Sequence, residues 1–203
     1  MSTDLLLFLG PATVAIFVLV VTVEGTRRPG YDAGYHTGSE LELGERGWIQ
    51  RANFVVIAVG MAGFAIGIHR TLDTLLGAAL LGVAAAGFLA SGLFVPDPVR
   101  GYPPGASITG GRPETLHAKL HDVIGPLIFL ALLAALVAVA AQLDGLWRFY
   151  TVATVVVGAV LVAVTINAYR TDSASTGLVQ RTLIYVCLLW VVVLGIALPA
   201  GAI

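Results

Sequence analysis

Two histidines stand four residues apart in Leu116-His117-Ala118-Lys119-Leu120-His121-Asp122, and on a helix that spacing sets both imidazoles on one face. Neutral imidazole nitrogens suit a zinc-like divalent metal, and Asp97 in Pro96-Asp97-Pro98 offers a carboxylate oxygen as a further ligand from the preceding helix end. Asp122 is placed to orient a histidine from behind. The bland alternative is a pair of interfacial hydrogen-bonding groups with no metal. Arg51, Asn53, Asn167, Arg170 and Glu40 are the other polar residues expected near the same end of the helices. Ser39 beside Glu40 would supply a nucleophile and a general base, although no flanking signature of an activated serine accompanies them. Pro126 lacks the amide that would bond the Asp122 carbonyl, so a free carbonyl is expected just beyond the histidine pair.

The elements that must position these groups are membrane helices. Of 203 residues, 58% are hydrophobic and 11% charged, and mean hydropathy is +0.92. Soluble domains carry about a quarter charged residues. Six apolar runs, near 4–24, 48–68, 72–95, 116–140, 147–168 and 181–201, are each long enough to cross a hydrocarbon core of about 30 Å, which takes roughly 20 helical residues. The runs do not alternate, which excludes a β-barrel. The expected fold is all-α, a polytopic bundle of six transmembrane helices, with residues 1–203 as a single domain in the lipid bilayer, multi-pass in the cell membrane. The first run lacks the basic leader and clean cleavage site of a signal peptide, so it is expected to be a retained helix.

Loops one, three and five are long and polar, whereas loops two and four are tight. Counting helix ends, the long-loop face carries nine basic residues, Arg27, Arg28, Arg46, Arg51, Arg100, Arg112, Lys119, Arg170 and Arg181, against two, Arg70 and Arg148, on the other. The positive-inside rule then makes the long loops cytoplasmic and both termini non-cytoplasmic. Trp48 and Trp147 fit interfacial positions, while Trp190 reads as a packing residue.

Loop one, Tyr31 to Gly44, is rich in turn residues and acids. A solvated connection is the expectation, and folding back over the bundle the alternative. Loop three, Val95 to Glu114, holds Pro96, Pro98, Pro103, Pro104 and Pro113, which favour rigid turns capping the same face. Gly47-Trp48-Ile49-Gln50-Arg51 and Gly177-Leu178-Val179-Gln180-Arg181 echo one another. Recurrent interfacial anchors explain the echo more simply than a repeat of helical hairpins.

A net charge of -1 with no polybasic face argues against a nucleic-acid partner. The single cysteine, Cys187, precludes an intramolecular disulfide or a thiolate metal cluster. His69 lies at the far end from the other histidines, which disfavours haem ligation across the membrane, and no nucleotide-binding motif is present.

Across most of its length the chain resembles the prokaryotic six-helix membrane family catalogued as domain of unknown function 998. The resemblance rests on Tyr35 to Gly44, Asn53, Phe94-Val95-Pro96-Asp97, His117 with His121, and Gln180-Arg181 with Trp190. It implies the architecture and no settled activity. A looser likeness runs to the seven-helix superfamily of metal-dependent membrane hydrolases that includes alkaline ceramidases and progestin-receptor-like proteins, from which this chain departs in helix count. The functional expectation is an integral membrane protein with a polar, metal-binding site at the cytoplasmic helix ends. The alternatives are a metal-dependent hydrolase of a lipid or amphiphile, a small-solute transporter or channel, and a subunit whose cytoplasmic loops bind a protein partner.

Overall fold

The computed structural model describes residues 1–106 and 114–202; Arg112 and Pro113 of the sequence reading lie outside the described residues. Six α-helices follow one another: α1 Thr3–Arg27, α2 Gly47–Leu72, α3 Leu75–Leu93, α4 Leu116–Ala140, α5 Gly145–Arg170 and α6 Thr176–Ala197, with a short 3₁₀ helix, Gly38–Glu42, before α2. All six are long and apolar enough to cross a membrane. There is no strand among the described residues. The expected all-α bundle is therefore the observed one.

Local chemistry sets the helix ends. Ser2, Thr74 and Thr115 precede α1, α3 and α4, and each side-chain oxygen accepts an amide hydrogen from the first turn, at 3.3, 3.2 and 3.1 Å. Asp73 ends α2 in the left-handed conformation, φ 48°, with its amide bonded to the His69 carbonyl, so the chain reverses at once into α3. Helices α1 and α4 run unbroken through Pro11 and Pro126.

Each helix packs on the next in the chain, and α6 returns to α1, closing a ring. The α1–α2 seam depends on small residues: a Cβ built on Gly60 would collide with the Thr13 hydroxyl, and one on Gly67 would stand 2.9 Å from the Leu7 amide nitrogen. Such seams let backbones approach closely where lipid provides no hydrophobic drive between helices. Inside the ring, Trp190 is wholly buried, meets Phe64 edge-on and donates its indole N–H to Thr151 Oγ1 at 3.0 Å. The helices are unequally enclosed. In its most apolar stretch α2 is 61% buried, but α5 only 22%.

Loop one overturns the expectation of a solvated connection. Tyr31, His36, Thr37, Leu41 and Leu43 are buried, and the loop folds back over the helix ends. Two buried arginines hold it. Arg28 donates to the carbonyls of Leu43 (3.0 Å) and Arg46 (2.8 Å), and Arg181 donates to those of Ala33 (2.6 Å) and His36 (2.9 Å) and to the Tyr31 hydroxyl. In return the loop caps α6: the amides of Gly177 and Leu178 donate to the carbonyls of Tyr35 (3.0 Å) and Gly34 (2.8 Å). Orphan amides of a first helical turn are thereby satisfied, and α6 begins at Thr176, earlier than its apolar run. A side chain at Gly177 would collide with the His36 carbonyl. The echoed Gln-Arg pairs do different work, since Arg181 is buried beneath the loop while Arg51 is exposed.

Candidate functional site

At the long-loop end, α4, α5, α6 and the 3₁₀ helix enclose a cavity of about 520 Å³. Its lining is graded. Along α4 it runs from Ala118, His121 and Asp122 through Gly125 and Pro126 to Phe129; along α5 it runs from Arg170 and Tyr169 through Ile166 and Thr165 to Val162. At 1.5 Å per residue the α4 row covers about 16 Å of depth. Polar groups therefore gather at the mouth, and mostly apolar walls lie below.

The loop contributes Thr37, Ser39 and Glu40 to the mouth. Thr37 and Glu40 form a capping box in which the Thr37 amide donates to Glu40 Oε2 at 2.9 Å. Oε1 of Glu40 has no hydrogen-bond partner among the described residues, and the residue is only 2% exposed. Burial pushes this carboxyl up to about 7, against the pull of Arg100, the Thr37 amide and Arg181. Glu42, two residues on, is buried with both oxygens unpartnered among the described residues, and burial pushes it up to about 9 against Arg51. It is neutral at pH 7. Its Oε1 stands 3.7 Å from His121 Nδ1, too far for a hydrogen bond, and that nitrogen already meets the Phe94 carbonyl at 2.6 Å.

The family model described as protein of unknown function (DUF998) matches residues 11–197. The chain belongs to this family. No curated protein and no solved structure matches it. Family and fold together make it an integral, multi-pass membrane protein in a lipid bilayer.

Of the residues singled out in the sequence, Ser39, Glu40, Asp97, His121, Asp122 and Arg170 line the cavity of this DUF998 protein, and His117, Arg51, Asn53 and Asn167 do not. His117 is exposed, with its ring edge-on to Phe94. Asp97 serves as a bracket for α4: its Oδ2 accepts from the amides of Glu114 (2.8 Å) and Thr115 (3.0 Å), and its Oδ1 from the Thr115 hydroxyl (2.7 Å). Burial acts to raise this carboxyl, yet those bonds hold it below the usual carboxylate range. Among the described residues no group of three or more His, Cys, Asp or Glu side chains is arranged to hold a metal ion. Asn53 joins α1 to α2, donating to the Phe17 carbonyl (3.2 Å) and Gln50 Oε1 (3.3 Å). Ser39 pairs with the Thr37 hydroxyl at 3.2 Å.

Sequence reasoning missed Tyr169 and Gln180 as site residues. Tyr169 lies beside Asp122 and stacks on the Arg100 guanidinium, which is 4.6 Å from its ring centroid. Arg100 in turn pairs with Asp172 at 3.2 Å. Gln180 accepts the Gly38 amide at 2.8 Å and also reaches the cavity wall. Tyr169 had no signal but its position at a helix end on the long-loop face, and Gln180 stood out only in the Gln-Arg echo and the family resemblance.

Proposed function

We propose that this protein binds an amphiphile drawn from the bilayer, with its polar end at the cavity mouth and its tail along the apolar walls between α4, α5 and α6. The carrying observation is the graded lining, with His121, Asp122, Tyr169 and Glu40 above and Phe129, Val162 and Ile166 below. Concave sites that are mainly apolar with a few convergent polar groups are the usual form of a small-molecule site. The exposed valines of α5, such as Val156, Val160 and Val164, present an outer face suited to lipid.

The test is displacement of a fluorescent alkyl probe from protein held in lipid nanodiscs. Gly125 lines the cavity, and a Cβ there meets open space, so Gly125→Trp directs an indole into the cavity. Probe binding is expected in the wild type and lost in Gly125→Trp. Equal binding in both refutes the reading. A zinc-like ion in near-stoichiometric amount, lost in His117→Ala/His121→Ala, would instead favour a metal-dependent hydrolase.

We further infer that the long-loop face is cytoplasmic, because nine of the eleven Lys and Arg residues lie there. Cys187 is buried, so single engineered cysteines report cleanly. An impermeant maleimide added outside cells should label Gln142→Cys and spare Ser175→Cys; the reverse pattern inverts the topology.

A further inference from the structure

The mouth of the cavity has a charge character that names a ligand class. Arg100 and Arg181, the buried cations nearest to it, are directed at the protein itself. The first pairs with Asp172 and stacks on Tyr169, and the second is bonded to loop-one carbonyls. Asp97 has its oxygens occupied by the start of α4. That leaves two carboxylates on the lining, Glu40 and Asp122, opposed by the exposed Arg170.

Building on the amphiphile-binding reading, we propose that the ligand's polar end is a protonated amine, held between Glu40 on the loop and Asp122 on α4. Oε1 of Glu40 is an acceptor without a partner among the described residues on a side chain more than nine-tenths buried, and the residue lines the cavity. A buried acceptor left unmade is costly, and an ammonium hydrogen satisfies it with a charge-assisted bond. Asp122, hydrogen-bonded to the Tyr169 side chain, lines the same cavity from the α4 wall, one turn above Gly125 and Pro126, where it supplies the second contact. An anionic group would face both carboxylates, and of the cations near them Arg100 and Arg181 are already bonded within the protein, leaving the exposed Arg170 to meet it. A neutral hydroxyl can donate one hydrogen bond but gains nothing from the charges.

The position of Glu40 makes recognition pH-dependent. The charged groups around it are Arg100 from loop three, Arg181 from α6 and Asp172 from the α5–α6 loop, with Asp122 and Arg170 on the shared cavity. Ionisation of Glu40 as pH rises through about 7 strengthens attraction for an ammonium that stays protonated over the same range.

The experiment compares dodecylammonium, dodecanol and dodecyl sulfate as competitors for the nanodisc-held probe, with ethylammonium as the tailless control. Dodecylammonium is expected to bind roughly tenfold more tightly than dodecanol, a preference of the size a charge-assisted hydrogen bond supplies. The preference should fall in Glu40→Gln, which keeps an oxygen for the Thr37 amide, and independently in Asp122→Asn. It should also weaken below pH 7. Equal affinity for ammonium and alcohol, with both lost in Gly125→Trp, overturns the amine assignment and leaves the amphiphile cavity standing. Stronger binding of the sulfate overturns it in favour of Arg170. Ethylammonium competing as well as dodecylammonium rejects the amphiphile and identifies a soluble amine as the ligand. No competition by any of them, with probe binding unchanged in Gly125→Trp, overturns the cavity reading and this one together.

Discussion

The α1–α2 side and the α4–α5–α6 side of the bundle contain the same kinds of residue and solve opposite problems. On the first, Gly60 and Gly67 draw two backbones together until nothing fits between them, and Asn53 uses its amide to bond across the seam to Phe17. On the second, Gly125 faces open space, and polar side chains line a gap. Where a glycine's missing side chain is filled by a neighbour it is structural; where it is left empty it makes room. Gly60 and Gly125 cannot be distinguished by composition, only by what stands opposite them.

The sharpest way to break this comparison is one substitution made on both sides. Gly60→Leu forces a branched side chain into Thr13 and is expected to cost about 3 kcal/mol or more, the upper range for overpacking a close-packed site. Gly125→Leu is expected to leave stability within about 1 kcal/mol of the wild type, since a Cβ there meets open space and the gain in helix propensity is offset by the restriction Pro126 places on the residue before it. Thermal unfolding in detergent reads both. Equal losses would mean that the cavity side is as tightly packed as the seam.

Next in size is Arg181→Ala, which strips the loop-one carbonyls of Ala33 and His36 of a buried donor. A cost of about 2 to 4 kcal/mol follows from leaving buried acceptors unmade. Hydrogen exchange should show the amides of Gly177 and Leu178, which the loop caps, losing protection while the α1–α2 seam keeps its own. Unchanged exchange at those amides would show that the loop is held by its buried aromatic residues alone.

A pH-dependent effect comes from Glu42. Its folded pKa of about 9 lies above the ordinary 4.5, so the folded state holds a proton that the unfolded state releases. The stability this contributes is full below about pH 4.5 and is lost as pH rises through 9. Wild-type melting temperature should therefore fall between pH 5 and 9 more steeply than that of Glu42→Gln. Parallel profiles would mean that Glu42 is solvated and ionised like a surface acid.

The smallest expected change is Asp97→Ala, which removes the bracket from the start of α4 and should cost about 1 kcal/mol, the typical worth of a helix cap. If this substitution also removed a bound metal measured by elemental mass spectrometry, Asp97 would be a ligand and not a bracket.

The sequence by itself determined the six helices and where most of them begin and end, because a hydrocarbon core demands about 20 consecutive apolar residues and the polar connections interrupt them. It also singled out Glu40, Asp97, His121, Asp122 and Arg170, five ionisable residues now found on one cavity, because ionisable groups at membrane helix ends are costly and therefore conspicuous. Only the tertiary structure decided what those residues face. The i, i+4 spacing that aligned His117 with His121 fixes their common side of α4, but whether that side meets solvent, Phe94 or the cavity depends on how α3, α5 and loop one pack against it. Loop one shows the same limit. Its turn residues and acids have the composition of a solvated connection, and it is buried because Arg28 and Arg181, fifteen and 145 positions away from the Leu43 and His36 carbonyls they bond, supply the hydrogen bonds that its backbone would otherwise have taken from water.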